Sequence, residues 1–106
     1  MADWVEAARE AEVPKDEGLF VKVDGRRIAL FRAEGQVWAI DDTCPHTGEG
    51  QLSMGFLEGT VIECPLHQAC FDVRTGKVLE GPATADVTSY PVRVEAGAVK
   101  IRLGEG

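Results

Sequence analysis

Two short stretches hold most of the residues that can bind a metal. They are Cys44-Pro45-His46 and Cys64-Pro65-Leu66-His67, with seventeen residues between His46 and Cys64. Each offers one thiolate and one imidazole. In each, a proline follows the cysteine directly, which fixes φ and removes one N–H from a crowded turn. Both histidines of the chain and two of its three cysteines fall in this pattern. Buried cysteines often act only as small apolar groups, but that does not account for the paired placement of both histidines. Two thiolates and two imidazoles also complete a tetrahedron around one zinc ion, as a non-redox zinc-binding module would use them. A zinc finger usually places both cysteines before both histidines, near a helix. Here the order alternates and no helical pattern follows. The third cysteine, Cys70, stands beside Phe71 and reads as a packing residue.

The elements that must position these donors read as strands and turns. Leu19-Phe20-Val21-Lys22-Val23 is a strand followed by Asp24-Gly25, a two-residue hairpin turn. Arg27-Ile28-Ala29-Leu30-Phe31 returns, Glu34-Gly35 turns again, and Gln36-Val37-Trp38-Ala39-Ile40 completes a meander of antiparallel neighbours. Near the other end, 89–94 and 99–103 alternate apolar and polar residues about Glu95-Ala96-Gly97-Ala98, as a half-buried hairpin does. Pro91 marks an edge or the start of its strand. The single helical candidate is Trp4 to Glu12, stopped by Pro14. The middle, 41–82, holds six of the twelve glycines and three of the five prolines and reads mostly as tight loops. Gly48, Gly55, Gly59 and Gly76 are expected to supply positive φ or close approach there. Trp38 reads as core. Asp41 and Asp42 precede the first donor loop and are expected to cap its backbone.

The chain has 106 residues and a formal charge of −7, which fits one domain. The charge is uneven: 41–82 carries seven acids against two bases, and the same segment contains every cysteine and histidine. Such a field repels a phosphate backbone, so nucleic acid is excluded as a partner class, and a partner with a basic docking face is favoured. Three cysteines do not make a paired disulfide framework. Met1-Ala2-Asp3-Trp4 has no basic stretch with an apolar run behind it, and no apolar segment is long enough to span a membrane. The expected location is a reducing cytoplasm, where thiolates remain available to metals.

Cys44-Pro45-His46-Thr47-Gly48 and Cys64-Pro65-Leu66-His67, followed by Phe71-Asp72 and Thr75-Gly76, resemble the Rieske family in order and spacing. Gly55-Phe56-Leu57-Glu58-Gly59 and the Glu63 to His67 run look especially like the ferredoxins that serve bacterial aromatic-ring-hydroxylating dioxygenases. The resemblance implies an all-β, Rieske-like fold. An antiparallel β base (1–40 and 83–106) would carry an inserted cluster-binding lobe (41–82). It also implies one [2Fe–2S] cluster, with Cys44 and Cys64 on one iron and His46 and His67 on the other. With neutral imidazoles the oxidised cluster has no net charge, whereas four thiolates would leave it negative, so the potential is higher than in all-cysteine ferredoxins. Gly81-Pro82 resembles the family's third loop, Leu66 is expected to shield the cluster, and Gln68 to shape a docking rim.

Departures from the family refine this expectation. Respiratory-complex members tie the two ligand loops with a disulfide, and the matching positions here are Glu49 and Leu66. Those members also give serine and tyrosine hydroxyls to cluster sulfur, where this chain has Ala69 and Phe71. Losing both donors implies a potential in the lower Rieske range, roughly −150 to 0 mV. The implied function is one-electron transfer, without catalysis, from a flavin-containing NAD(P)H-dependent ferredoxin reductase to the Rieske centre of a terminal oxygenase. The small subunit of an assimilatory nitrite reductase shares the fold, but many members are thought to have lost ligands that this chain keeps. An oxygenase large subunit is excluded, because no histidines remain for a mononuclear iron site.

Overall fold

Ile28, Ala29, Leu30 and Phe31 are all fully buried, which a strand achieves only when both of its faces are covered. The computed structural model describes residues 4–43, 51–65, 69–80 and 86–103, and it shows what covers them. The strands are β1 (Trp4–Arg9), β2 (Leu19–Val23), β3 (Arg26–Ala33), β4 (Gln36–Asp41), β5 (Phe56–Glu58), β6 (Val61–Glu63), β7 (Cys70–Asp72), β8 (Val78–Glu80), β9 (Ser89–Tyr90), β10 (Val92–Glu95) and β11 (Ala98–Arg102). They form three antiparallel sheets, β1-β11-β10, β2-β3-β4-β9 and β5-β6-β7-β8. The all-β expectation therefore holds, and among the described residues only two short 3-10 turns are helical.

The β2-β3-β4-β9 sheet is the middle layer. Its alternate residues serve two cores. Ile28, Leu30, Val37 and Ala39 join Val99 and Ile101 of the first sheet. Ala29, Phe31 and Ile40, with Trp38 partly buried beside them, join Ile62 and Phe71 of the third, and Val73 just past β7. The period-two pattern of a strand thus cements both outer sheets to one central ribbon.

The meander is tightened by Asp24-Gly25 and Glu34-Gly35, all four with positive φ, the conformation whose twist matches antiparallel strands. Ala96-Gly97 closes the β10–β11 hairpin in the same way. Pro91, which lacks an N–H, divides the expected 89–94 strand. Before it, β9 pairs with β4 (Ala39 opposite Tyr90); after it, β10 pairs with β11.

The N-terminal segment departs from the helical expectation. Trp4–Arg9 is a strand whose Val5 lies opposite Ile101, with a register shift between Glu6 and Ala8. Only Glu10–Glu12 is helical, as one 3-10 turn. A segment this short has little helical stability of its own. Pairing with β11 satisfies one edge of its backbone, and the Arg32 guanidinium donates to the carbonyls of Glu10 and Val13 just beyond it.

Among its described residues the middle of the chain holds four strands, where loops were expected. Leu57, Ile62, Phe71 and Val78 lie across from one another on the inner face of the third sheet. β8 carries only one inward apolar residue and has no strand signature of its own.

Candidate metal centre

The second donor group springs from the end of the β6–β7 hairpin. Glu63 opposite Cys70 is the last registered pair, and the Cys64 N–H donates to the Ala69 carbonyl at 2.8 Å, closing the loop that carries Pro65 to Gln68. Cys64 is 0% exposed and belongs to the core with Leu52, Ala69 and Phe71. Its neighbours among the described core residues are apolar. The first donor group is bracketed in the same manner. Thr43 and Gln51 form an antiparallel bridge, and the Leu52 N–H donates to the Asp42 carbonyl at 2.7 Å. Cys44, His46 and His67 lie outside the described residues, as do Gly48, Glu49, Leu66, Gln68 and the third loop at Gly81-Pro82. Among the described residues, no three histidine, cysteine or acidic side chains converge as a metal site.

Among the described residues, the backbone capping expected of Asp41 and Asp42 is seen at Asp42 alone. Asp42 is fully buried, and its Oδ1 accepts the Ser53 N–H at 2.7 Å. Asp41 instead accepts a hydrogen bond from the Tyr90 hydroxyl, which ties the end of β4 to β9. Burial, and then the neighbouring Asp41, push the Tyr90 hydroxyl above its ordinary pKa, while Arg26 opposes the shift.

The Phe71-Asp72-X-X-Thr75-Gly76 run has a physical explanation. Phe71 fills the core under the sheet. Asp72 accepts from the Arg74 N–H at 2.8 Å, while the Asp72 carbonyl accepts from Thr75 and Gly76. The Lys77 N–H donates to the Thr75 hydroxyl. Gly76 has φ +79°, and a Cβ there would collide with the Val87 carbonyl. Gly55 is needed for close approach as well, since its Cβ would collide with the carbonyl of Glu63. Gly59 needs only positive φ, with open space around it. Gly18 was not singled out by its sequence context, although a Cβ there would lie 2.7 Å from the Ser53 Cα.

Cys70 does not fill the core. It faces outward from β7, between Glu63 of β6 and Glu80 of β8, in a depression also lined by Phe56, Glu58 and Val61. Partial burial, followed by the charges of Glu80 and Glu63, pushes the thiol above its ordinary pKa. At neutral pH it stays protonated and is a poor nucleophile.

The family described as the Rieske [2Fe–2S] domain matches residues 3–91. The ferredoxin component of naphthalene 1,2-dioxygenase/salicylate 5-hydroxylase systems from a Ralstonia species is 46% identical over 101 residues, covering 95% of this chain and 96% of the relative. The ferredoxin of Sphingomonas yanoikuyae B1 superposes with a TM-score of 0.90 at 31% identity, over 96% of this chain and all of that one. A chain of the complex of reduced oxygenase and oxidised ferredoxin in carbazole 1,9a-dioxygenase gives 0.87 at 32% identity, over 97% and 95%. A nitrite reductase small subunit from Mycobacterium tuberculosis, at 24% identity, TM-score 0.88 and coverage of 100% and 99%, shares the fold alone.

Proposed function

Because this chain belongs to the Rieske [2Fe–2S] domain family, we propose that it passes single electrons to the Rieske centre of a terminal aromatic-ring-hydroxylating dioxygenase. It takes them from a flavin-containing NAD(P)H-dependent reductase in the cytoplasm. It is an electron-transfer component and not a catalyst, and it carries one [2Fe–2S] cluster. Among the described residues no helix is long and apolar enough to cross a membrane.

We assign the ligands as Cys44, His46, Cys64 and His67, within a lobe at 41–82 carried by a base of 1–40 and 83–106. The observation that supports this assignment is the placement of Cys64. It is fully buried at the mouth of a hairpin loop closed by its own backbone, among apolar neighbours. Two thiolates and two imidazoles are the donor set of a Rieske centre, which supplies a one-electron couple. The chain's part is to hold the donors on two backbone-closed loops, to keep water from Cys64, and to leave cluster sulfur without hydroxyl donors at Ala69 and Phe71. No side chain has to move a proton for the electron to pass.

The outer face of the third sheet supports a basic partner. Glu58 and Glu63 lie beside Phe56, which is 68% exposed, Glu80 lies on the far side of Cys70, and none of the three acids pairs with a cation among the described residues. The deciding experiment is reconstitution. The purified holoprotein should restore dioxygenase turnover when added to a cognate reductase and oxygenase. Iron and acid-labile sulfide should be present in equal amounts. Failure to accept electrons from any flavoprotein reductase, or a single zinc in folded material, would end this reading.

A further inference from the structure

We propose that Asp42 is a positioning residue for the metal centre, fixing the first ligand loop against the second through the turn at 52–55. This inference rests on the ligand assignment above, and it concerns residues that the assignment does not include.

Three backbone or side-chain links converge on Asp42. Its N–H donates to the Arg27 carbonyl at 3.0 Å, anchoring it to the middle sheet. Its carbonyl accepts the Leu52 N–H, and its Oδ1 accepts the Ser53 N–H, both at 2.7 Å. One residue therefore joins the two ends of the segment that contains Cys44 and His46. It sits only two residues before Cys44, so any displacement is passed directly to that ligand.

The turn held by Asp42 reaches the other loop. Leu52–Met54 is a 3-10 turn whose first two residues are buried, and it ends on Gly55. Gly55 lies against the Glu63 carbonyl with no room for a Cβ, and Glu63 immediately precedes Cys64. On its other side the turn meets Gly18 of the base, again with no room for a side chain. Asp42, Ser53, Gly55 and Glu63 thus form a continuous link from two residues before Cys44 to the residue before Cys64.

The chemistry of Asp42 argues that this link is its purpose. Asp42 is fully buried, and its Oδ2 and the Ser53 Oγ have no hydrogen-bond partner among the described residues. Keeping an unsatisfied carboxylate oxygen in the interior is unfavourable. An apolar residue of similar size would fill the space without that cost, but it could not accept the Ser53 N–H. Nothing in the link depends on the carboxyl's charge, so an amide oxygen should serve as well.

The test uses the holoprotein and its Asp42→Ala, Asp42→Asn and Gly55→Ala variants. Iron and sulfide analysis of the unsubstituted protein comes first, because a failure there sinks the ligand assignment rather than this inference. In Asp42→Ala the reduced-cluster paramagnetic signal should broaden and shift, and the Ser53 amide should exchange at least about tenfold faster. The amides of Ile28–Phe31 should keep their protection, which a general loss of stability would not allow. Asp42→Asn should restore both the signal and Ser53 protection. Should Asp42→Ala fail to fold, Gly55→Ala perturbs the same link from its far end and should alter the same signal. An unchanged signal in Asp42→Ala or Gly55→Ala, or an Asp42→Asn protein that behaves like the alanine variant, overturns the proposal.

Discussion

Gly76 and Val87 touch through their backbones. The Val87 N–H donates to the Gly76 carbonyl at 2.8 Å, while the Val87 carbonyl occupies the space where a Cβ on Gly76 would stand. This contact fixes the far side of the segment that follows β8. Replacing Gly76 with alanine combines a left-handed φ, which costs about 1–2 kcal/mol, with a backbone collision of about 1–3 kcal/mol. Gly59→Ala incurs only the first cost, because nothing lies near its Cβ position. Denaturant unfolding should therefore rank the two, with Gly76→Ala less stable by about 1–3 kcal/mol than Gly59→Ala. Equal midpoints would show that the Val87 contact yields without cost.

Cys64 has two roles that substitution should separate. As a proposed ligand it is needed for the cluster, and as a buried side chain it fills the core shared by the middle and third sheets. Cys64→Ser should lose the native visible absorption and the reduced paramagnetic signal. His67→Ala should lose the same signals. Both should also weaken the 41–82 region, because metal binding and folding are coupled. Retention of a native Rieske spectrum in either variant would remove that residue from the ligand set.

Ala69 offers a way to raise the potential. It is fully buried, and its carbonyl receives the Cys64 N–H. A hydroxyl at this position that reaches a cluster sulfur stabilises the added electron. One net hydrogen bond is worth about 0.5–1.5 kcal/mol, which for a one-electron couple is about 20–65 mV. Ala69→Ser should shift the midpoint upward by that amount in a spectroelectrochemical titration. A structure showing the hydrogen bond with no change in potential would defeat the argument.

How much of this was readable from the chain follows from what each residue depends on. The meander announced itself because Asp24-Gly25 and Glu34-Gly35 are local turn signals that need no partner. The donor groups were readable because both histidines fall in them. Trp4 to Glu12 suggests a helix because nothing local announces β1, whose partner β11 lies at the other end of the sequence. Adjacency to Phe71 suggests a packing role for Cys70, yet neighbours on a strand point to opposite faces. The Asp42–Ser53 bond was half legible: a capping role suits an aspartate before a loop, but its partner is fixed only by tertiary structure.

Asp72 links the end of β7 to acid stability. Its carboxylate accepts from the Arg74 Nε at 3.1 Å and Nη2 at 2.9 Å, and the Arg74 hydrogen bond holds its pKa below the ordinary carboxylate range. A carboxyl with a depressed folded pKa contributes stability above its unfolded pKa, about 3.9. That stability is lost as the pH falls through the lower folded value. Asp72→Asn should therefore be less stable than the unsubstituted chain at pH 7, by about 1 kcal/mol for a partly exposed pair. The difference should shrink on acidification below about pH 4. A deficit that stays constant down to the lowest pH at which both proteins remain folded would assign the effect to the turn rather than to the charge.

The acidic face should show itself in kinetics more than in affinity. Glu58 and Glu80 lie on the outer side of the third sheet, flanking the exposed Phe56 and the half-buried Cys70. Neither belongs to the proposed ligand set, so neutralising both with glutamine leaves every proposed donor in place. Opposed charge patches accelerate encounter at low ionic strength, and the gain disappears as salt screens it. With a basic partner, the double Glu58→Gln, Glu80→Gln variant should be reduced by its reductase, or oxidised by its oxygenase, about tenfold more slowly at low salt. The two proteins should converge near physiological ionic strength, where the screening length is about 8 Å. Rates that fall by the same factor at every salt concentration would point to a lost contact instead of lost steering, and rates that do not fall would place docking on another face.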